Sequence, residues 1–150
     1  MGVMRVYLGA DHRGFTLKEK IKSWLEQEGV EVIDVGAYEF NEEDDYPDFA
    51  IKVAKGVIGD KGSRGILLCG SGHGVDISAN RFKEIRSILG FNLEVVKQGR
   101  EHEDANVLSL PADWIEVELA KRMVKLFLET EFSRERRHER RIEKLGRIGD

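Results

Sequence analysis

Cys69 is the single cysteine of the chain, and it immediately precedes the glycine-rich segment Gly70–Gly74. Such a segment can turn tightly and aim successive backbone N–H groups at a phosphate or at an oxyanion that forms during a reaction. If a helix follows, the positive end of its dipole also stabilises a thiolate, which can act as a base or a nucleophile. Two simpler interpretations stay open: a tight turn that binds nothing, and a cysteine that packs as a small hydrophobic residue. The segment lacks the Gly-Lys-Ser/Thr ending of a P-loop.

Histidines and a carboxylate border other predicted strands. Asp11 and His12 follow the first apolar run, and His102 comes shortly before the last one. Ligands of open parallel sheets bind beyond the carboxyl ends of the strands, so we expect these residues to converge with Cys69 at one edge. Each histidine could instead be an exposed or internally satisfied loop residue. His73, inside the glycine segment, is expected to be an exposed side chain or an additional donor.

The end of the chain is strongly basic. Residues 133–147 contain 7 of the 24 lysines and arginines, so the net charge of −4 conceals a basic tail. Arg137 and Arg141 are four residues apart and would share one helical face, where two guanidinium groups can bind one phosphate. The interleaved glutamates also fit a solvated helix with internal ion pairs. Nucleic-acid binding is not expected, because no aromatic residues interleave with these cations and the rest of the chain is acidic.

The elements that must position these residues alternate between short apolar runs and amphipathic stretches. Near-continuous apolar runs are typical of strands buried on both faces, and their alternation with helical stripes predicts a parallel sheet with helices on both sides. The helical stripes begin near Leu17, Phe49 and Ile115, and a further helix should run from the glycine segment to about Phe82. The predicted strands are Val6–Leu8, Val30–Val35, Gly65–Cys69, Ile85–Phe91 and Asn106–Leu110.

Length and composition limit the class of protein. The 150 residues suffice for one domain with a substantial core, so we expect a single domain over 1–150 with a basic helical tail over 133–150. One cysteine excludes an internal disulfide and a multi-cysteine zinc site. No apolar run approaches the roughly 18 residues that span a membrane, and the N-terminus lacks the apolar stretch of a secretory signal. We therefore expect a cytoplasmic protein that does not bind membranes.

Several motifs, taken together and in this order, carry a resemblance to a known family over nearly the whole chain. They are Gly9–Lys18, Asp45–Asp48, Gly65–Gly72, Ala79–Arg81, Asp104–Leu108 and Arg137–Arg141. These segments resemble the type B ribose-5-phosphate isomerases and the related galactose-6-phosphate isomerase subunits. The resemblance implies a Rossmann-like α/β/α sandwich with a five-stranded parallel sheet. It also implies a homodimer, or a dimer of dimers, with each site at the subunit interface, and an aldose–ketose isomerisation that uses no metal and no cofactor.

The same resemblance implies a role for each candidate residue. Cys69 would be the base that moves a proton between C1 and C2 of the sugar through a cis-enediolate. Ser71 and the backbone N–H groups from Gly70 to Gly74, including that of Gly72, would bind the enediolate. Asp11 and His102 would help to open the sugar ring. His12, Arg137 and Arg141 would hold the phosphate, and Tyr46 and Asn80 would line the site. Two further candidate substrate-binding residues are His73 and Glu103.

This chain departs from the family pattern at three positions. Glu103 replaces a usual asparagine, Asp113 stands where an arginine often helps to hold the phosphate, and His73 replaces an apolar residue. Carboxylates near a phosphate dianion repel it unless arginines offset them. In another branch of the family a glutamate of the glycine loop is the base. Val75 takes that place here, so the cysteine branch fits, and Asp76 would be a backup base only in a shifted loop.

The favoured function is the isomerisation of ribose 5-phosphate to ribulose 5-phosphate. One alternative is the isomerisation of another sugar phosphate, such as allose or galactose 6-phosphate. A second alternative is a sugar-phosphate binding protein without catalytic activity, although such a protein would need no proton carrier at Cys69. A nucleotide-binding module fits least, because no Gly-x-Gly-x-x-Gly pattern follows the first strand.

Overall fold

The computed structural model describes residues 4–150 and contains an alternating series of strands and helices. No helix within this range is long and apolar enough to cross a membrane. The strands are β1 (Arg5–Ala10), β2 (Glu31–Asp34), β3 (Arg64–Cys69), β4 (Ser87–Leu89) and β5 (Val107–Pro111). The helices are α1 (Phe15–Gln27), α2 (Tyr46–Gly59), α3 (His73–Ala79), α4 (Leu93–Glu103), α5 (Val117–Glu129) and α6 (Arg136–Leu145).

The strands form one parallel sheet in the order β2-β1-β3-β5-β4. Ala10 lies opposite Leu68 in the register of β1 and β3, and Cys69 lies opposite Pro111 in the register of β3 and β5. The carboxyl ends of the three central strands are therefore level with one another. The predicted five-stranded parallel sheet is confirmed, and its edge can gather side chains from three separate loops.

The core lies on both faces of this sheet. Side chains alternate across a strand, so Ile66 and Leu68 of β3 pack into the cluster formed by α1, α4 and α5, whereas Leu67 and Cys69 pack into the cluster formed by α2 and α3. Both clusters consist of fully or nearly fully buried apolar side chains. The predicted α/β/α sandwich is thus confirmed, and Cys69 lies on the α2/α3 side of the sheet.

Two features of the fold differ from the sequence-based expectations. Helix α4 was not predicted, because its buried positions are Val96, Gly99 and Arg100, which do not form an apolar stripe. The fourth strand is only Ser87–Leu89, shorter than the predicted Ile85–Phe91. The basic tail does form a helix, α6, in which His138 is the buried residue.

A buried ion pair joins α1 to the end of β2. The Lys18 side chain is fully buried, and its ammonium donates to both carboxylate oxygens of Asp34, at 2.9 and 2.8 Å, and to the carbonyl of Ala37 at 2.6 Å. Burial would raise the pKa of Asp34, but the hydrogen bonds from Lys18 and from the Gly36 N–H outweigh it and hold that pKa below its ordinary value. The pair fixes the loop that follows β2 beside the end of β1.

Candidate active site

The carboxyl ends of β1 and β3 bring Asp11 and Cys69 to the same edge of the sheet. The Asp11 N–H donates to the carbonyl of Leu68, the residue before Cys69, at 3.3 Å. On the other side of β3, the Ala112 N–H donates to the Cys69 carbonyl at 2.9 Å. Cys69 is 5% exposed and makes no disulfide. The structure therefore brings Asp11 and Cys69 close together at this edge.

The glycine segment after Cys69 forms an open turn. Gly72 has a φ of +77°, and a Cβ there would lie 2.5 Å from a side-chain carbon of Leu89 and 3.1 Å from the Leu110 carbonyl carbon, so only glycine fits. Among residues 4–150, no internal hydrogen bond uses the backbone N–H groups of Gly70, Ser71 or Gly72 as donors, whereas the His73 N–H donates to the Ser71 hydroxyl at 3.3 Å. A group of uncommitted N–H donors directly after Cys69 can bind an anion.

Asp11 is a buried carboxyl group that can carry a proton. Its Oδ1 accepts hydrogen bonds from the backbone N–H groups of Arg13 at 3.0 Å and Gly14 at 3.1 Å. These bonds favour the carboxylate, but the side chain is removed from water, and this burial raises the pKa of Asp11 above its ordinary value. A carboxyl group in this state suits the exchange of protons with sugar hydroxyl groups.

His12 is held by a carboxylate that the sequence did not single out. The imidazole Nδ1 lies 2.7 Å from Oδ1 of Asp44, and the His12 backbone N–H donates to the same oxygen at 2.9 Å. The bond to Asp44 raises the pKa of His12, which favours the imidazolium. Asp44 belongs to an acidic loop whose composition is visible in the sequence, but nothing in the loop marks which carboxylate would reach His12.

Asp11, His12 and Asp44 also form a group whose potential metal-ligating atoms lie within 4.8 Å of one another. Two of these atoms already have partners, since Asp11 accepts backbone bonds and the His12 Nδ1 contacts Asp44. The Asp44 Oδ2 is buried and has no hydrogen-bond partner among residues 4–150. We assign the group to orienting His12 rather than to holding a metal ion.

Tyr46 lies against the glycine segment. It is the first residue of α2, and a Cβ added to Gly74 would lie 2.6 Å from the Tyr46 ring. The absence of a side chain at Gly74 therefore makes room for this ring.

His73 is exposed, as expected, whereas Asp76 accepts a hydrogen bond from the Ser87 hydroxyl at 2.6 Å. Burial raises the pKa of Asp76, and its bond to Ser87 ties it to β4.

The expectation that His102 shares this edge is wrong for a single chain. His102 lies at the end of α4, and the chain then enters β5, whose first residue, Val107, pairs with Gly65 at the beginning of β3. The side chain is therefore at the amino edge of the sheet, about 17 Å from the carboxyl edge for a strand of this length. The error has a simple cause: residues before a parallel strand lie at the opposite end from residues after it.

Other predicted substrate-binding residues lie with His102 or have other partners. The His102 ring stacks on His138 of α6, with 4.4 Å between the ring centroids, and α6 also carries the exposed Arg137 and Arg141. Glu103 is exposed at the same edge. The Asn80 side chain donates to the Ser87 carbonyl at 2.9 Å and accepts from the Ser87 N–H at 2.8 Å. These bonds tie Asn80 to Ser87, which pairs with Val107 at the amino edge of the sheet, so within one chain Asn80 lies away from Cys69.

The structure also assigns a partner to Asp113, the residue that stands in place of a family arginine. Its carboxylate forms an ion pair with the guanidinium of Arg13, and its backbone N–H donates to the Gly70 carbonyl at 3.0 Å. No role for Arg13 was predicted. The available signal was its position: it follows Asp11 and His12 in the loop after β1, at the edge where β5 also ends.

Comparison with known proteins places this geometry in context. The family model described as Ribose/Galactose Isomerase matches residues 6–145. Ribose-5-phosphate isomerase B of Mycobacterium tuberculosis is 41% identical over 146 residues, covering 97% of this chain and 90% of that protein. The Escherichia coli protein of the same name is 38% identical over 144 residues, covering 96% of this chain and 95% of that protein.

Solved structures give the same result. The ribose 5-phosphate isomerase of Thermotoga maritima superimposes with a TM-score of 0.93 at 42% identity, covering 97% of this chain and 99% of that one. Ribose 5-phosphate isomerase B of Mycoplasma genitalium, solved with bound ribulose 5-phosphate, superimposes with a TM-score of 0.91 at 36% identity, covering 96% of this chain and 95% of that one.

Proposed function

The chain belongs to the ribose/galactose isomerase family, and from this premise we propose that it interconverts ribose 5-phosphate and ribulose 5-phosphate. The observation that carries the proposal is the position of Cys69 directly before the uncommitted N–H groups of Gly70, Ser71 and Gly72. An aldose–ketose isomerisation needs a proton carrier beside a site that stabilises an enediolate, and this edge of the sheet has both. The substrate follows from the names of the relatives.

In the proposed mechanism, Asp11 exchanges protons with the sugar hydroxyl groups during ring opening. The Cys69 thiolate then removes the proton from C2 of the open-chain aldose. The electron pair of the C2–H bond forms the C1–C2 double bond of the enediolate, and the carbonyl oxygen at C1 takes up negative charge. The N–H groups of the glycine segment bind this oxygen. The Cys69 thiol returns its proton to C1, and the proton of the C2 hydroxyl transfers to the C1 oxygen, giving the ketose.

The positions of His102, Arg137 and Arg141 support a homodimer. These residues lie at the amino edge of the sheet or on α6, whereas Cys69 lies at the carboxyl edge. A single chain therefore cannot bring both groups to one sugar. We propose that His102 and the two arginines of the partner subunit complete the site, and that residues 1–150 act as one domain. We also place the protein in the cytoplasm, because a phosphorylated sugar is charged and does not cross a membrane unaided.

The experiment is a panel of pentose and hexose phosphates, including allose and galactose 6-phosphate, assayed for isomerisation. We expect ribose 5-phosphate to give the highest kcat/KM. A higher kcat/KM for a hexose phosphate would leave the assignment as an isomerase in place but would change the assigned substrate. Exchange of the C2 proton in heavy water would rule out a binding protein without catalytic activity, whereas binding of the sugar phosphates with neither isomerisation nor exchange would favour it.

The role of Cys69 has its own test. We expect Cys69→Ala to lower kcat by about 10²- to 10⁴-fold, the usual contribution of a general base, and to leave the Kd of ribulose 5-phosphate within about 3-fold. Cys69→Ser, which keeps a polar side chain of similar size, controls for lost packing. Near-normal turnover of Cys69→Ala would contradict the proposed base.

A further inference from the structure

We propose that Arg13, held in position by Asp113, is a substrate-binding residue that contacts the phosphate of the sugar phosphate. The inference rests on the proposed function, because it assumes that an anionic sugar occupies the edge beside Cys69. It concerns a pair of residues that the sequence alone did not connect, since they are 100 positions apart.

The pair lies directly over the first residue of the glycine segment. A Cβ added to Gly70 would lie 2.5 Å from Nε and 2.6 Å from Cζ of Arg13, and 2.7 Å from a carboxylate oxygen of Asp113. Gly70 is the residue after Cys69. The guanidinium therefore occupies the mouth of the site, within a few ångströms of the N–H donors that would bind the enediolate.

The backbone fixes both partners at this place. The Arg13 N–H donates to the Asp11 carboxylate at 3.0 Å, and the Asp113 N–H donates to the Gly70 carbonyl at 3.0 Å. Gly14, the next residue in the loop after β1, packs directly against β3: a Cβ at this position would lie 2.7 Å from Leu68. Both loops are thus attached to the end of β3, and the ion pair closes the gap between them.

The electrostatics of the pair also point to an anionic ligand. An unpaired Asp113 at this edge would repel a phosphate, but the guanidinium of Arg13 neutralises it. Arginine has five N–H donors in a planar fork, and the contact with Asp113 uses one terminal nitrogen. The Arg13 side chain is 59% exposed, so donors remain accessible to a ligand. A guanidinium already held by a carboxylate loses less conformational freedom when it binds an anion.

Phosphate is the part of the substrate that this fork fits. The reacting carbons must lie at Cys69, and the uncommitted N–H groups of the glycine segment are available to the oxygens on those carbons. A phosphate dianion has the charge and the oxygen spacing for a bidentate contact with a guanidinium, whereas a neutral hydroxyl has neither. Arg13 is therefore expected to affect the binding of the phosphate and not the transfer of the proton.

The test compares Arg13→Met with Arg122→Met, which removes an exposed arginine of α5. For each variant, KM and kcat for ribose 5-phosphate are measured, together with inhibition constants for inorganic phosphate and for ribitol, a neutral sugar alcohol. We expect Arg13→Met to raise the KM and the phosphate inhibition constant about 10- to 100-fold, as for the loss of a hydrogen bond to a charged group. For Arg13→Met, we expect kcat and the inhibition constant of ribitol to change less than about 3-fold. For Arg122→Met, we expect every one of these constants to change less than about 3-fold.

Two variants of Asp113 test its positioning role. Asp113→Asn removes the charge that holds the guanidinium, so Arg13 is less ordered but no longer neutralised, and we expect a KM well below that of Arg13→Met, because the cation remains. The exchange Arg13→Asp with Asp113→Arg restores the pair with the cation on the other loop. We expect this double variant to bind phosphate more tightly than Arg13→Met does.

The outcomes separate this inference from the proposed function. If wild type isomerises ribose 5-phosphate and Arg13→Met keeps its phosphate inhibition constant, only the inference fails. Equal weakening of ribitol and phosphate would also overturn it, because the effect would then be structural. If wild type isomerises none of the sugars, the Kd of phosphate is measured by calorimetry for wild type and Arg13→Met. Weaker phosphate binding by the variant would still support a phosphate site at Arg13. The same Kd for both proteins, or no detectable binding by either, would overturn the inference.

Discussion

The imidazole of His12 and the carboxylate of Asp44 form an ion pair in which Nδ1 and Oδ1 are 2.7 Å apart. The same oxygen accepts the backbone N–H of His12 at 2.9 Å, so Asp44 sets both the orientation and the charge of the histidine. The edge of the ring of Phe40 lies beside it, with 6.2 Å between the ring centroids. Because the contact raises the pKa of His12, the imidazolium persists over a wider pH range.

Asp44→Asn is expected to lower the pKa of His12 toward the ordinary value of about 6.5. The imidazolium is then lost at lower pH than in wild type, so the KM for ribose 5-phosphate should exceed that of wild type at pH values between the His12 pKa values of the two proteins. The two KM values should converge at about pH 5.5, where His12 is protonated in both proteins. NMR titration of the His12 ring and pH profiles of KM measure this. Glu43→Gln, a similar loss of charge at the preceding exposed position, is the control. An unchanged His12 titration would contradict the assignment.

The same shift predicts a contribution to stability. The pKa of His12 is higher in the folded state than in the unfolded chain. The resulting stabilisation is fully present below the unfolded pKa of about 6.5 and is lost as the pH rises through the folded value. We expect the difference in free energy of unfolding between wild type and Asp44→Asn to shrink over that interval.

A complementation experiment tests whether two subunits share each site. Cys69→Ala and His102→Ala should each be inactive alone. A mixed dimer would contain one site that combines an intact Cys69 with an intact His102, because the two residues come from different chains. Random exchange of equal amounts should therefore restore about one quarter of the wild-type activity. Unmixed variants taken through the same exchange are the control, and no recovery in dimers shown to be mixed would place both residues in one chain's site.

Gly72→Ala is expected to destabilise the protein more than Gly29→Ala. Both glycines have positive φ, at +77° and +83°, but nothing lies within 4 Å of a Cβ at Gly29. Gly29→Ala should therefore cost only the backbone term of about 1–2 kcal/mol. At Gly72 the methyl group also meets Leu89 and the backbone of β5, which adds about 1–3 kcal/mol and moves the turn that follows Cys69. Denaturant unfolding and kcat are measured, and equal losses for the two variants would contradict the packing seen here.

Lys18→Met is expected to destabilise the protein by about 3–5 kcal/mol, because it leaves the Asp34 carboxylate buried without its main partner. Lys22→Met is the control: its ammonium is also 3.3 Å from Asp34, but its side chain is 32% exposed, so the loss should be below about 1 kcal/mol.

The effect of Lys18 should also depend on pH. The pKa of Asp34 is below its unfolded value, so its contribution is present above about pH 3.9 and is lost as the pH falls through the folded value. The difference in free energy of unfolding between wild type and Lys18→Met should therefore become smaller at acidic pH. If this difference in free energy of unfolding stays constant down to low pH, lost packing and not lost charge causes it.

The pattern of residues along the chain was enough to predict the layers of the fold and the common edge of two candidate site residues, Asp11 and Cys69. Apolar runs such as Ile66–Leu68 specify strands buried on both faces, and the glycines that follow mark where these strands end. Because Asp11 directly follows one such strand and Cys69 ends another, their common edge follows from the parallel sheet without further information. The local sequence was sufficient for these predictions, because hydrophobic periodicity and turn-forming residues are properties of neighbouring positions in the chain.

Which side chains contact one another became known from the folded structure. The amino-edge position of His102 already followed from its place before a predicted parallel strand, but nothing in the sequence showed that it lies at the end of a helix, because α4 lacks an apolar stripe. The pairs His12–Asp44 and Arg13–Asp113 join residues 32 and 100 positions apart. Such contacts depend on strand order and on how neighbouring loops pack, and neither leaves a periodic signal in the chain. The carboxylate that seemed unfavourable for phosphate binding, Asp113, is neutralised by an arginine that only the folded loops bring to it.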